Sequence, residues 1–247
     1  FYLDCFHDDI FRILDAKKEN TDERVRLSDL SIGIILRDKF MMLAGKDEGF
    51  YTFAPHSVFR ATGIKLSDID MNEWYDKLVA NPKVRKTYHE AEEMRELLAN
   101  VAAESGYPYV VFRETMNELH VFKNAAIYSS NLCTEIFQRM CQKYGVQCTL
   151  ASINIATAIL DKSLGQTVEN VMWHLNGVVD RVDLSVVEAI SNALRDFRSV
   201  GLGTANLQGA FAYFGIPYES ETAIDFVRAI YSTIRYHVLK ASCDAVS

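Results

Sequence analysis

Three polar side chains with different chemistry alternate within residues 127–137, IYSSNLCTEIF. Asn131, Cys133 and Glu135 carry an amide, a thiol and a carboxylic acid, and small or apolar residues separate them. In an extended segment, alternate side chains point to the same side. We therefore expect the three groups to share one face. An edge strand with a wet face and an incidental cysteine is the competing interpretation of this pattern.

The surroundings of Cys133 favour one-electron chemistry over nucleophilic attack. A nucleophilic cysteine needs a positive neighbour or a helix N-terminus, whereas the nearest ionisable side chain here is the carboxylate of Glu135, which disfavours a thiolate. A thiol that stays protonated can instead lose a hydrogen atom and become a thiyl radical. Glu135 could then act as a general base on a substrate hydroxyl, and Asn131 could orient that substrate. Cys148 could supply reducing equivalents as half of a dithiol.

Two other stretches imitate binding motifs. Residues 201–209, GLGTANLQG, resemble a dinucleotide fingerprint, but Asn206 stands where the third glycine is needed. We expect a tight strand-to-helix turn there. Residues 68–73, DIDMNE, begin like a calcium loop, but Glu73 replaces the glycine that forms the sharp turn of such a loop. Helix capping explains that stretch better.

Composition limits the class of protein. The chain has 247 residues, of which 49% are hydrophobic, so it can bury a sizeable core as one large or two modest domains. Its net charge is −7, and no basic stripe interleaves with aromatic residues, which argues against a nucleic-acid partner. No apolar run approaches the roughly 20 residues of a membrane span.

Cysteine usage points to a reducing, cytoplasmic setting. Five widely spaced cysteines and no secretory signal argue against a disulfide scaffold. Their spacing also lacks a zinc pattern. We expect Cys5, Cys141 and Cys243 to be ordinary buried small residues.

Alternating helical and strand-like patterns predict an α/β architecture. We expect Asp8 to cap the helix over 8–18, and Ser67 or Asp68 to cap the helix over 66–82. Gly215 is expected to end the helix within 198–215. The predicted helices cover 8–18, 66–82, 84–104, 167–179 and 221–240; the predicted strands cover 30–36, 51–55 and 107–112; strand and turn are predicted over 148–160, and strand then helix over 198–215.

Several stretches together resemble the large subunit of ribonucleotide reductase. SSNLCTEI followed by CTLASIN is similar to its catalytic centre. Four further stretches resemble the same family and occur in the same order as in that family. They are KKENTDERVRLSDLSIGIILRDKF, LVANPKVRK, ESGYPYVVF and RSVGLGTANLQGAFAYFGIPYESE. The resemblance covers essentially the whole chain. LVANP and ESGYPYVVF look most like the aerobic class Ib branch.

The resemblance implies part of a ten-stranded α/β barrel with a central finger loop that carries the radical cysteine. Cys133 matches the cysteine whose thiyl radical abstracts the 3′ hydrogen of the ribose, Glu135 the base on the 3′ hydroxyl, and Asn131 the amide that binds the substrate. Cys148 matches one member of the redox pair that reduces the sugar. The barrel would shield the radical from quenching. The implied reaction converts ribonucleoside diphosphates into 2′-deoxyribonucleoside diphosphates for DNA precursor synthesis.

The resemblance also implies partners. A small subunit would hold a dimetal–tyrosyl radical, so no metal is expected in this chain. The other implied partners are a thioredoxin- or glutaredoxin-type reductant, a nucleoside triphosphate effector and a second copy of the complete large subunit. Residues 1–247 are expected to be the central part of the barrel domain, as a fragment or as one product of a split gene.

Several features depart from the family pattern, among them Asn206, which replaces a glycine usual in the GLG turn. The second redox cysteine is expected upstream of Phe1, and the segment between Glu135 and Cys148 is short for the family, which makes the register of Cys148 less secure than that of Cys133. Two alternatives remain open at this point. One is an adenosylcobalamin-dependent class II reductase, and the other is an inactive barrel fragment with a structural or assembly role.

Overall fold

A computed structural model of the protein describes residues 1–121, 123 and 126–246. The chain divides into two compact units, with the boundary between Met140 and Cys141. Each unit mixes helices and strands, as the predicted α/β class requires. No helix in the described part of the chain is both long and apolar enough to cross a bilayer.

The first unit is built on a parallel sheet. Strands β1, β2 and β5 form it with β2 in the centre, and β3 pairs with β4 in antiparallel fashion. The strands are β1 (Tyr2–Asp4), β2 (Gly33–Leu36), β3 (Phe50–Phe53), β4 (Lys86–His89) and β5 (Tyr109–Phe112). The helices are α1 (Ile10–Asp15), α2 (Asp38–Ala44), α3 (Pro55–Thr62), α4 (Met71–Ala80), α5 (Ala91–Ser105) and α6 (Arg113–Leu119).

An aromatic core supports this sheet. Phe6, Phe50 and Phe53 are fully buried, and the rings of Phe40 and Phe50 meet edge to face with centroids 5.0 Å apart. Burial of one such side chain contributes roughly 1.5–3 kcal/mol. Helix α5 closes the core with buried residues at helical spacing, namely Ala91, Met94, Leu97 and Val101.

A buried ion-pair network joins three elements of the first unit. Arg37, which directly follows β2, is 1% exposed. Its Nε lies 2.6 Å from Oδ2 of Asp4 at the end of β1, and its Nη1 lies 3.3 Å from Oε1 of Glu114 in α6. Burial opposes the charge of the guanidinium, but the carboxylate of Asp4 outweighs this and raises the pKa of Arg37. Oε2 of Glu114 also accepts the N–H of Asp38, at the start of α2.

The second unit carries a parallel pair of strands covered by helices. Ile153, Ile155, Val168 and Ile234 form its buried cluster, which draws on β6, α7, α8 and α11. The strands are β6 (Leu150–Asn154) and β7 (Gly201–Ala205), and the helices are α7 (Ile155–Leu160), α8 (Leu164–Arg181), α9 (Glu188–Phe197), α10 (Leu207–Phe214) and α11 (Glu221–Asp244).

The strand-to-helix turn predicted in GLGTANLQG is confirmed. Asn206 links β7 to α10 with φ at 68°, a left-handed conformation that asparagine tolerates better than most residues. Its side chain fills the space beside Gly209, where a methyl group would overlap it. Its Nδ2 donates to Oδ1 of Asn154 at the end of β6, at 3.2 Å. Gly215, at φ 65°, ends α10 as expected.

Two predicted helices are wrong in part. The helix predicted over 84–104 begins only at Ala91, because residues 86–89 pair with β3 as strand β4. Tyr88 therefore lies on a strand, and its side chain is exposed. The helix predicted over 66–82 begins at Met71, and its cap is Asp70, whose Oδ1 accepts the N–H of Asn72 at 2.9 Å. A separate short 3-10 turn covers Leu66–Asp68.

Local caps also differ from the predictions. Asp8 does not cap the first helix, which spans Ile10–Asp15, because its carboxylate pairs with Arg85 at 2.9 Å. The turn predicted after β6 is the helix α7, capped by Asn154, whose Oδ1 accepts the N–H of Thr157.

Arg37→Met should destabilise the first unit, because it removes the cation that Asp4 and Glu114, both partly buried, contact directly. We expect a loss of about 3 kcal/mol in the free energy of unfolding. The measurement is urea unfolding followed by fluorescence in a Trp173→Phe background, where Trp74 alone reports on this unit. Arg24→Met, at an exposed pair, is the control and should leave that free energy unchanged. Equal effects of both substitutions would contradict this account.

The second unit should lose stability in acid through Glu169. Hydrogen bonds from His237 first, and Lys240 next, lower the pKa of this α8 carboxyl. A lowered carboxyl pKa stabilises the fold above the unfolded value near 4.5 and loses that effect as pH falls through the folded pKa. The difference in unfolding free energy between wild type and Glu169→Gln should therefore shrink from neutral pH to about pH 3. Trp173 fluorescence in a Trp74→Phe background measures it; a pH-independent difference would be inconsistent with the ion pair.

Candidate active site

The candidate site lies on the loop that follows α6, and Asn117 in that helix holds the start of the loop. Its Nδ2 donates to the carbonyl of Ile127 at 2.9 Å, and its Oδ1 accepts the N–H of the same residue at 2.8 Å. Ile127 itself is fully buried. One amide therefore satisfies both backbone groups of a buried residue, which fixes where the loop enters the site.

Side-chain and backbone hydrogen bonds close residues 130–136 into a compact turn. Ser130 Oγ donates to the carbonyl of Ile136 at 2.6 Å, and the N–H of Ile136 donates to Oδ1 of Asn131 at 3.1 Å. Across the turn, the N–H of Thr134 donates to the carbonyl of Asn131 at 3.3 Å. Cys133 sits between these two residues, at the tip.

Tyr2 in β1 holds the same turn from the sheet. Its hydroxyl lies 2.8 Å from the carbonyl of Asn131 and 2.5 Å from Oγ1 of Thr134. Because a phenol has one proton, Tyr2 donates to the carbonyl and accepts from the threonine. The tip of the loop is thereby attached to the parallel sheet.

The predicted extended face of the triad is wrong. Residues 132–134 form a turn, and Thr134 has φ at 68°, so the two-residue repeat of a strand does not apply. All three residues nevertheless lie on one anchored turn. Asn131 is half-buried, while Cys133 and Glu135 are exposed, so the described residues do not provide the expected shielding.

Aromatic and apolar groups surround the turn within the first unit. Tyr107 first, then burial, raises the pKa of the Tyr109 phenol, and Cys133 and Tyr2 add to this effect. Tyr109 on β5 is therefore a neighbour of the thiol. Thr134 also borders a mostly apolar cavity of about 390 Å³, whose other lining residues include Phe112 and Phe137.

Cys148 belongs to the second unit and lies two residues before β6. The residues on either side of it are fixed: Gln147 Nε2 donates to the carbonyl of Ser199 at 2.7 Å, and the carbonyl of Thr149 accepts the N–H of Gly201 at 2.9 Å. The thiol itself is exposed. The segment thus presents a sulfur on a well-anchored backbone.

The other cysteines differ from one another. Cys5 is fully buried, and burial, together with the neighbouring Asp4, raises the pKa of its thiol. Cys141 and Cys243 are exposed, so the prediction that they are buried is wrong; Cys141 lies in a loop and Cys243 near the end of α11. In the described residues, none of the five cysteines forms a disulfide.

One group of side chains in the described residues has metal-ligand chemistry, His7, Asp8 and Asp9. Nδ1 of His7 already accepts the N–H of Asp9 at 3.0 Å, and Asp8 pairs with Arg85. These contacts account for the cluster as a turn before α1.

Sequence reasoning missed the two residues that anchor the loop. Tyr2 is separated from Asn131 by more than half the chain, and Asn117 sits inside an ordinary-looking helical stretch. No local pattern marks either of them, because their roles depend on contacts that only the fold creates.

The chain belongs to the ribonucleotide reductase barrel-domain family. The family model described as "Ribonucleotide reductase, barrel domain" matches residues 1–247. The resemblance drawn from the sequence is therefore confirmed.

Relatives with similar sequences are ribonucleoside-diphosphate reductase alpha subunits. The chain is 36% identical over 256 residues to the ribonucleoside-diphosphate reductase subunit alpha of Bacillus subtilis, covering 98% of this chain and 37% of that protein. It is 34% identical over 254 residues to the corresponding subunit of Mycoplasma genitalium, covering 98% and 35%. The chain thus spans a little over a third of the length of these relatives.

A solved structure shows the same fold. The class Id ribonucleotide reductase alpha subunit of Actinobacillus ureae superimposes with a TM-score of 0.71 and 19% identity, over 99% of this chain and 40% of that one. The chain therefore has the fold of the ribonucleotide reductase barrel domain, as the sequence predicted, although the described residues do not form a closed barrel.

Thiol alkylation should separate the cysteines by exposure. In the native chain, iodoacetamide should modify Cys133, Cys141, Cys148 and Cys243 while sparing Cys5, because burial and a raised pKa both suppress the thiolate of Cys5. In denaturant all five should react. Peptide mass spectrometry measures each site, and rapid native labelling of Cys5 would be incompatible with the packing of the first unit.

Proposed function

We propose that the chain forms part of the catalytic barrel of a ribonucleoside-diphosphate reductase large subunit. The proposed reaction is reduction of ribonucleoside diphosphates to their 2′-deoxy forms by thiyl-radical chemistry. The family match over the whole chain supports this. The observation that carries the proposal is the anchored turn, which presents the amide, thiol and carboxylate of Asn131, Cys133 and Glu135 within five residues.

The first step uses the turn residues. A radical-generating small subunit removes one electron and one proton from the Cys133 thiol. The resulting thiyl radical takes the 3′ hydrogen atom of the ribose, which restores the S–H bond and leaves a carbon radical. Glu135 accepts the proton of the 3′ hydroxyl, and Asn131 holds the substrate by hydrogen bonding.

The second step uses a dithiol. The 2′ hydroxyl leaves as water, and Cys148 with a second cysteine supplies the two electrons and two protons that this requires, ending as a disulfide. Glu135 then returns its proton to the 3′ oxygen, and Cys133 returns a hydrogen atom to carbon 3′ and is again a thiyl radical. The sum is one ribonucleotide and one dithiol converted into one deoxyribonucleotide, one disulfide and water.

The proposed partners follow from this chemistry. The small subunit carries a dimetal–tyrosyl centre, which supplies the one-electron oxidation, and a thioredoxin- or glutaredoxin-type protein reduces the disulfide. We propose three further features of the complete large subunit. It binds a nucleoside triphosphate effector, it forms a homodimer, and it belongs to the class Ib branch. Five cysteines outside any disulfide in the described residues fit a proposed cytoplasmic location.

A radical at Cys133 needs protection from solvent, and this thiol is exposed in the described chain. We propose that Phe1–Ser247 is the central part of the barrel domain and that further strands of the complete large subunit cover the turn. The chain spans 37% of its Bacillus subtilis relative, which leaves ample sequence for that enclosure. Exclusion of water would then protect the intermediate.

Substitution of the triad should test the assignment. In the reductase assembled with the remaining large-subunit segments and the small subunit, Cys133→Ala should abolish deoxyribonucleotide formation. Glu135→Gln should lower kcat about 10²-fold or more, as expected for loss of a general base. Conversion of a radiolabelled ribonucleoside diphosphate measures both.

Cys243→Ala is the matched control, since it removes an exposed thiol outside the proposed site, and it should leave turnover unchanged. Unchanged turnover in Cys133→Ala would contradict the proposal and favour a structural role for this barrel segment. Turnover that depends on adenosylcobalamin, and not on the small subunit, would place the chain in the class II branch instead.

A further inference from the structure

A single phenolic hydroxyl binds both sides of the turn that carries Cys133. Tyr2 donates to the carbonyl of Asn131, before the cysteine, and accepts from Oγ1 of Thr134, after it. The two partners are 129 and 132 residues away in the chain. The contact therefore links the sheet to the turn and is not part of the local geometry of the loop.

The turn needs an external constraint because of Thr134. This residue is β-branched and has φ at 68°, a region that such side chains rarely occupy. Strained conformations of this kind persist when surrounding contacts over-determine them, and they concentrate at functional sites. The Tyr2 hydroxyl binds the side chain of the strained residue itself, at 2.5 Å.

The sheet provides a rigid base for this contact. Tyr2 pairs with Gly33 in the β1–β2 register, and its ring lies over that glycine. A methyl group at position 33 would overlap Cε1 and Cδ1 of the ring. Gly33 on the central strand therefore leaves the space in which the ring reaches toward the turn.

We infer that Tyr2 is a positioning residue that sets the location of the Cys133 sulfur, with Gly33 providing the space for its ring. The inference rests on the proposed function, because the sulfur to be positioned is the proposed radical site. Hydrogen-atom transfer needs the reacting atoms close and aligned, and a displacement of about 1 Å can cost on the order of 10²-fold in rate. Loss of the tether should therefore act on the abstraction step and leave substrate affinity intact.

Tyr2→Phe in the assembled reductase removes the hydroxyl and keeps the ring. We expect kcat to fall about tenfold or more while KM stays within about twofold, since the displaced sulfur slows hydrogen abstraction. The kinetic isotope effect with 3′-deuterated substrate should rise, because abstraction becomes more rate-limiting. A purely structural defect would lower the active fraction and leave that isotope effect unchanged, and this result would overturn the inference.

Two further variants test the same contact from the other side. Thr134→Val removes the hydroxyl that Tyr2 binds and should raise the isotope effect as Tyr2→Phe does, whereas Thr134→Ser keeps the hydroxyl and should restore wild-type behaviour. Tyr88→Phe is the control, since it removes a phenol hydroxyl that donates to Glu90 at the surface; it should change neither kcat nor the isotope effect.

Amide hydrogen exchange gives a readout that does not depend on turnover. In Tyr2→Phe, the N–H of Thr134 should exchange faster, because its bond to Asn131 closes the tethered turn. Unchanged exchange would overturn the tether even if activity fell. Inactive Cys133→Ala combined with wild-type kinetics in Tyr2→Phe would overturn this inference alone, whereas active Cys133→Ala would overturn the proposed function beneath it.

Discussion

A buried guanidinium, that of Arg37, holds together the elements from which the candidate site is built. It pairs with Asp4 at the end of β1 and with Glu114 at the start of α6. Tyr2 lies on the same strand as Asp4, and Asn117 lies on the same helix as Glu114. Both anchors of the Cys133 loop are therefore attached to elements that this one side chain fixes. The arrangement has a cost, because Nη2 of Arg37 is buried and makes no hydrogen bond to any described residue.

The loop itself is held by side chains, since its described residues form no strand or helix. Its entry is fixed by an amide on α6, its closure by Ser130 and Asn131, and its tip by a phenol on β1. The thiol of Cys133 and the carboxylate of Glu135 take no part in these contacts, whereas Oδ1 of Asn131 helps to close the turn by accepting the N–H of Ile136. This division explains how a segment without regular structure can present a thiol at a defined place.

The sequence was most informative where local pattern and chemistry coincide. The buried strand β2, the turn at Asn206 and the helices α8 and α11 follow from apolar periodicity and capping alone. Residues 86–89 were predicted as helix, because pairing with β3 depends on a partner more than thirty residues away. The triad was found from residue types, but its extended geometry was not, since the turn depends on Tyr2. The exposure of Cys141 and Cys243 could not be read from residue type, because it depends on which way each side chain points in the fold.

The contact between Asn206 and Gly209 makes the residue tolerated at 209 depend on the residue at 206. The amide of Asn206 occupies the volume that any side chain at 209 would need, while its left-handed backbone leaves few replacements at 206. It also reaches Asn154 at the end of the neighbouring strand. Among homologous barrels, we therefore expect residues 206 and 209 to covary, because a glycine at 206 would leave room for a methyl group at 209.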